Sequence, residues 1–183
     1  MPTHADLITR FYTAFGARDA DTMAACYTPD AHFSDPVFPN LRGAEVGGMW
    51  RMLCARATDL RVRFGDVTTH GEIGAARWEA WYTYRATGRP VHNVIRAAFR
   101  FERGLIAGQV DSFDLYRWTR QALGMKGVLL GWTPLVQGMV RRQAGAALIR
   151  FLARQPAGGA GEPHRERPPG SRETAGPTTG GTG

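Results

Sequence analysis

From His4 to Arg18 apolar side chains recur at three- and four-residue spacing, Leu7, Ile8, Phe11 and Phe15, the period of a helix with one buried face. Asp19 to Cys26 reads as a second, short helix entered through Asp19 or Asp21 as a cap. The period then changes. Ala31-His-Phe-Ser-Asp35 alternates, with Phe33 and Asp35 on one face and His32 and Ser34 on the other, and Pro36 holds Asp35 out of the helical region. A third helix is expected from about Gly43 to Ala57, striped by Val46, Met49, Trp50 and Leu53.

Four extended runs follow, roughly 59–69, 73–87, 91–103 and 105–113, rich in β-branched and aromatic residues. Gly71, Thr87-Gly88-Arg89-Pro90 and Arg103-Gly104 punctuate them as hairpin turns. Helices followed by an antiparallel meander give an α+β class, since nothing alternates as parallel β-α-β would. Beyond Asp114 the spacing is helical again. Leu135, Val136, Met139, Val140, Ala147, Leu148, Phe151 and Leu152 read as one apolar stripe with Arg141, Arg142, Arg150 and Arg154 largely beside it, and Gly131, Trp132 and Pro134 make the turn that leads in. From Pro156 the chain holds no aliphatic residue larger than Ala, so disorder is expected over 156–183. The organisation is one domain over 1–123, a basic amphipathic helix over 124–155 and a tail over 156–183.

Composition is that of a soluble globular protein, 43% hydrophobic and 21% charged. The formal charge of +7 is informative only once located: residues 1–116 are balanced, and so is the end from Pro156. The whole excess lies between Arg117 and Arg154, a stretch with Arg117, Arg120, Lys126, Arg141, Arg142, Arg150 and Arg154 and no acid. Those Arg residues suit acidic lipid or nucleic acid, but the long regular stripe favours packing on the domain or on a second subunit, with Arg left in solvent. No nucleic-acid partner is expected, and membrane-surface contact is the minor alternative. No charged-then-apolar leader follows Met1, and Cys26 and Cys54 suggest neither a disulfide framework nor a metal knuckle, so the expected compartment is the cytoplasm.

Among polar candidates Asp35 stands first. A carboxylate sharing an apolar face with Phe33 has its charged form desolvated, which makes it a better proton acceptor near neutral pH. The bland alternative is a carboxylate that caps the turn before Pro36 and faces water. Asp111 and Arg77 form either an internal relay or a cross-strand pair on the outer face of the sheet. Asn93 shares parity with Ile95, Ala97 and Phe99, which presents its amide either to a ligand or to a hairpin end. The five His residues are scattered with no Cys nearby, so neither a metal nor another cofactor is expected.

Phe11-Tyr-Thr-Ala-Phe-Gly-Ala-Arg-Asp19, then Asp30-Ala-His-Phe-Ser-Asp-Pro-Val37, Leu41-Arg-Gly43, Phe99-Arg-Phe101, Gly104-Leu-Ile106 and Asp111-Ser-Phe-Asp114 resemble a SnoaL-like or ketosteroid-isomerase-like domain of the nuclear-transport-factor-2-like superfamily. The resemblance covers roughly residues 5–123. It implies a cone-shaped barrel, a curved antiparallel sheet packed with N-terminal helices, and a homodimer. It also implies an apolar pocket for a small hydrophobic molecule, for which Phe11, Phe15, Phe33, Trp50, Glu79, Asn93, Phe99 and Phe113 are the candidate binding residues.

In ketosteroid isomerases the catalytic base sits in the Asp-Pro-Val setting, here Asp35. Their two proton donors would fall at Phe11 and Ala97, neither of which can donate, which leaves Tyr12 or Asn93 as substitutes. A second resemblance, to limonene epoxide hydrolase, aligns Asp111-Ser-Phe-Asp-Leu115 with that enzyme's ending and Arg77-Trp-Glu79 with its Arg-x-Asp. That implies two carboxylates bridged by Arg77, with Asp111 catalytic. Met49-Trp-Arg-Met-Leu53 and Lys126-Gly-Val-Leu-Leu-Gly-Trp-Thr-Pro134 are similar to an uncharacterised bacterial subgroup. The expected function is a cofactor-free acid–base enzyme, an isomerase, cyclase or epoxide hydrolase, built on Asp35, Asp111 and Arg77. The alternative is a non-catalytic ligand-binding or dimerisation module.

Overall fold

The computed structural model describes residues 3–154, so the stretch 156–183 expected to be disordered lies outside the described residues. Helix α1 (His4–Ala17) starts at a capping box, in which the Thr3 side chain accepts from Asp6 N and the Asp6 carboxylate accepts from Thr3 N. Its apolar face buries Leu7, Ile8, Phe11, Tyr12 and Phe15, as the spacing requires. Helix α2 (Ala20–Ala24) is capped by Asp19. Helix α3 (Ala44–Arg56) begins after Gly43, whose φ of 54° and closeness to Pro29 O (3.1 Å from a built Cβ) suit glycine.

The strands are β1 (Tyr27–Ser34), β2 (Leu41–Arg42), β3 (Arg61–His70), β4 (Ile73–Tyr84), β5 (Arg89–Glu102) and β6 (Leu105–Ser112). They form one sheet in the order β2-β1-β6-β5-β4-β3. This is the expected α+β arrangement, a curved and mostly antiparallel sheet packed with helices. The sheet is open, with β2 and β3 at its edges. Within it β1 lies parallel to β6. The chain leaves β1, passes through β2 and α3, and adds the β3–β6 meander before the last strand returns beside the first. Alternation reveals the face of a strand, never its partner.

Side chains of β4, β5 and β6 that point under α1 and α3 form the core. Trp50 is its hub, with the rings of Phe11, Phe15 and Phe33 edge-on at centroid distances of 5.2, 5.2 and 5.4 Å. A second, smaller cluster joins Val91, Leu115, Trp118, Ala122 and Val140; Val37, Tyr82 and Phe113 pack against both clusters and so mark the seam between them.

The C-terminal segment folds as α4 (Leu115–Leu123), α5 (Met125–Leu130) and α6 (Pro134–Leu152), the last entered through the Thr133 cap and Pro134 in its first turn. Helix α5 lies so close to α4 that a Cβ on Gly127 would sit 2.0 Å from Thr119 O. The single stripe expected along α6 is corrected: Val140, Ala147 and Leu148 are buried, whereas Leu135 and Met139 lie on the opposite, exposed face. Among the described residues no helix is long and apolar enough to cross a membrane.

Candidate functional site

Register builds the site. The parallel pairing of β1 with β6 sets Phe33 beside Gln109 and Ser34 beside Val110. The ladder ends there; Asp35 follows Ser34 out of β1, Asp111 follows Val110 within β6, and the two lie within reach of each other's charge. Side chains alternate along a strand, so Asp111 shares the inward face of Gln109, while Asp35, one residue past β1, is partly buried. On its other side Asp111 is paired with Ala97 of β5.

Asp35 does two jobs. Its Oδ1 accepts from Val37 N at 2.7 Å and from Phe38 N, closing the turn through Pro36, while its own N–H donates to Phe38 O at 2.9 Å. The side chain nevertheless stays shielded. Burial lifts its acid to about 6 against the opposing pull of the Phe38 and Val37 N–H groups.

Asp111 is deeper, only 3% exposed. A chain of donors ends on it: Trp50 Nε1 donates to the Tyr27 hydroxyl at 3.0 Å, Tyr27 donates to Gln109 Oε1, and Gln109 Nε2 donates to Asp111 Oδ1 at 2.9 Å. Burial pushes Asp111 up to about 8. The Gln109 hydrogen bond and the Trp78 indole oppose the rise, and the charge of Asp35 adds to it. Two carboxylates with acidities driven apart can hold one negative charge and one proton at neutral pH, titrating as a pair.

A donor without a partner faces the same carboxylate. The Tyr12 hydroxyl is buried with no hydrogen-bond partner. Burial, and then the charge of Asp111, hold the Tyr12 phenol far above its ordinary range. Orphaned buried donors are rare in folded proteins. On the Asp35 side, Tyr82 accepts from Trp118 Nε1 at 2.8 Å, and burial raises its phenol to about 12, with Asp35 contributing.

The expected Arg77 bridge is not formed. On β4 the buried residues are Ala76, Trp78 and Ala80, so Arg77 and Glu79 project from the other face. There Arg77 Nη2 meets Glu79 Oε1 at 3.2 Å, and Glu79 Oε2 lies 2.7 Å from His92 Nε2, whose ring stacks on Trp81. A large inward Trp78 fixes the parity of its neighbours and removes Glu79 from the interior as well.

Asn93 does lie on the inward parity, opposite Ala80. Phe11, Phe15, Phe33, Trp50 and Phe99 are packed as core, while Phe113 is half-buried at the seam two residues after Asp111. Two surface grooves, of about 540 and 500 Å³, are lined by residues including Asp66, Arg77 and Arg96 and by Leu60, Arg63 and Trp81 respectively; neither includes Asp35 or Asp111. Sequence reasoning missed Gln109 and Tyr27. Gln109 carried a usable signal, since it precedes Asp111 by two on the same strand face. Among the described residues no cluster of His, Cys, Asp and Glu is placed to hold a metal.

Residues 8–109 match the SnoaL-like domain model. No curated protein matches the chain by sequence. Among solved structures, IdmH of Streptomyces antibioticus, a proposed polyketide cyclase, superposes with a TM-score of 0.58 at 23% identity, over 68% of this chain and 100% of that one. An LEH-like epoxide hydrolase of M. tuberculosis gives 0.56 at 19%, over 72% and 96%. A protein of Catenulispora acidiphila with a ketosteroid isomerase-like fold gives 0.59 at 15%, over 70% and 98%. At such identities the likeness is one of fold. The matched segment supplies Tyr12, Asp35 and Gln109, stops just short of Asp111, and spans more than half of the sequence: the chain belongs to the SnoaL-like domain family.

Proposed function

We propose that the chain is a cofactor-free acid–base enzyme for a small hydrophobic organic molecule, working by proton-transfer isomerisation or cyclisation. The observation that carries this reading is the inward pair Asp35 and Asp111, with acidities of about 6 and about 8. Ionised Asp35 removes a proton from a carbon next to a carbonyl. The electron pair moves onto the carbonyl oxygen, where Asp111 O–H and the Tyr12 hydroxyl stabilise the enolate by donating to it. Asp35 then returns the proton at another carbon, or the enolate carbon attacks a second carbonyl and closes a ring, the new alkoxide taking the proton. Epoxide hydrolysis is less well supported, because the two-carboxylate scheme needs a bridging cation and Arg77 lies on the other face of β4.

A binding module without catalysis is the second reading. It is favoured by the placement of both surface grooves away from the carboxylates. A panel of β,γ-unsaturated ketones and polyketide-like diketones, assayed with wild type, Asp35→Asn and Asp111→Asn, separates the two. The enzyme reading expects turnover that falls about 10²- to 10⁴-fold in Asp35→Asn. Equal rates in wild type and Asp35→Asn would mean that Asp35 is no base, and binding without turnover in every protein would leave the binding module.

A further inference from the structure

The α5–α6 corner leaves a contiguous run of large apolar side chains in solvent. Met125 is 71% exposed, Leu129 63%, Trp132 64% and Leu135 77%, with Leu130 and Met139 open beside them. The pattern continues along α6. Leu135, Met139, Arg142, Ala146 and Ile149 follow at i, i+4, i+7, i+11 and i+14, one face of a helix, and Ile149 is 70% exposed. This face is distinct from the one bearing Val140, Ala147 and Leu148, which packs on the core. Helix α6 is therefore apolar on two sides, only one of which is covered by the described residues. A soluble monomer rarely leaves such a patch exposed without a use for it.

Charge says what fits it. From Arg117 to Arg154 there is no acidic residue, and Arg117, Arg120, Lys126, Arg142, Arg150 and Arg154 are all exposed. Arg142 lies within the apolar face of α6, Lys126 follows Met125, and Arg120 lies over the Tyr116 ring, whose hydroxyl donates to Val128 O and ties it to α5. Two copies meeting through this corner would bring like charges together with no acid to pair them. Side chains that project this far need a matching hole each in a folded partner, but none in a fluid acyl layer. An indole among aliphatics, ringed by Arg, is the composition of a helix lying in a lipid interface.

We propose that the α5–α6 corner docks on an anionic membrane surface, with Leu129, Trp132 and Leu135 entering the headgroup–acyl boundary and Arg120, Lys126 and Arg142 pairing with lipid phosphates. The opposite side of α6 reaches the candidate site, where Arg141 Nε donates to Pro36 O at 2.9 Å beside Asp35. The docking surface is separate from the acid–base chemistry and stands whether or not that chemistry is confirmed.

The test is co-sedimentation of the full-length protein with phosphatidylcholine vesicles containing about one part in three phosphatidylglycerol, against pure phosphatidylcholine. Anionic vesicles should bind at low salt at least about tenfold better than neutral ones, and binding should weaken steeply as salt screens the Arg residues. Leu129→Gln with Leu135→Gln should abolish binding at unchanged thermal stability, since both side chains are exposed. Trp132→Phe should keep binding but lose the blue shift of tryptophan emission on vesicle addition. Protein that stays in the supernatant with anionic vesicles at low salt overturns the proposal. So does binding indifferent to the double variant, and so does a double variant that alters only the oligomeric state in light scattering, which would assign the patch to a second copy.

Discussion

Asp35, the residue after β1, lies close enough to Asp111 of β6 for its charge to raise the Asp111 acid; Asp111 is buried and Asp35 partly so. Two negative charges in a shielded site disfavour one another, and the deeper carboxyl keeps its proton. Two residues after each acid, Val37 and Phe113 pack in the seam between the two apolar clusters. The seam thus withholds water from both members of the pair.

Activity should follow a bell in pH. The acidic limb belongs to Asp35, which must be ionised, and the alkaline limb to Asp111, which must be protonated. With the two near 6 and 8, the turnover rate is expected to peak close to neutrality and to fall about tenfold per pH unit well outside the bell. A pH–rate profile of kcat checks it. A rate flat from mildly acidic to alkaline pH would separate the pair from the chemistry.

Stability should fall as pH rises. The Asp111 acid goes from its ordinary 3.8 in the unfolded chain to about 8 in the fold, so the folded state binds the proton more tightly. Its contribution is fully present below about 3.8 and is lost as pH rises through about 8. Every tenfold gain in proton affinity on folding is worth about 1.4 kcal/mol. The amide in Asp111→Asn carries no charge to desolvate and can still accept from Gln109. Urea midpoints above and below this window should show a weaker pH dependence in Asp111→Asn and a more stable variant on the alkaline side.

Tyr12→Phe should separate a donor from a packing residue. Its ring packs with Phe64 and Trp78, which phenylalanine preserves, while the hydroxyl it loses has no partner in the fold. Thermal stability should be unchanged or slightly higher. The turnover rate should drop about 10²- to 10³-fold if the hydroxyl serves an enolate oxygen. A drop in stability with normal turnover would make it a structural group.

Gly127→Ala should loosen the corner. The new Cβ would meet backbone at Thr119 O, at 2.0 Å, with no side chain able to yield. Overpacking of this kind costs about 1–3 kcal/mol. The expected result is a lower thermal midpoint and faster amide exchange in 125–130, with the exchange of β4 and β5 unaffected.

Much of this was legible in the chain. The helical period placed α1 and α3 within a residue or two, and the alternation through Phe33 gave Asp35 its inward face. The partner of β1 was not legible, because a period of two carries no register, and so the adjacency of Asp35 to Asp111 had to come from the fold. Arg77 was misplaced for the same reason: the parity of β4 is set by the burial of Trp78, not by the charges that flank it. On α6, apolar residues occupy two faces, so periodicity could not say that Val140 is covered while Leu135 is open.

The split between the two carboxyls is the centre of the account, and ¹³C chemical shifts of the Asp35 and Asp111 side-chain carboxyls, followed through a pH titration, test it most directly. Asn variants at 35 and 111 assign the signals. The account expects midpoints near 6 and near 8, with the higher one moving down when Asp35 is replaced by Asn. Two independent titrations close to 3.8, each unmoved by loss of the other carboxyl, would contradict it.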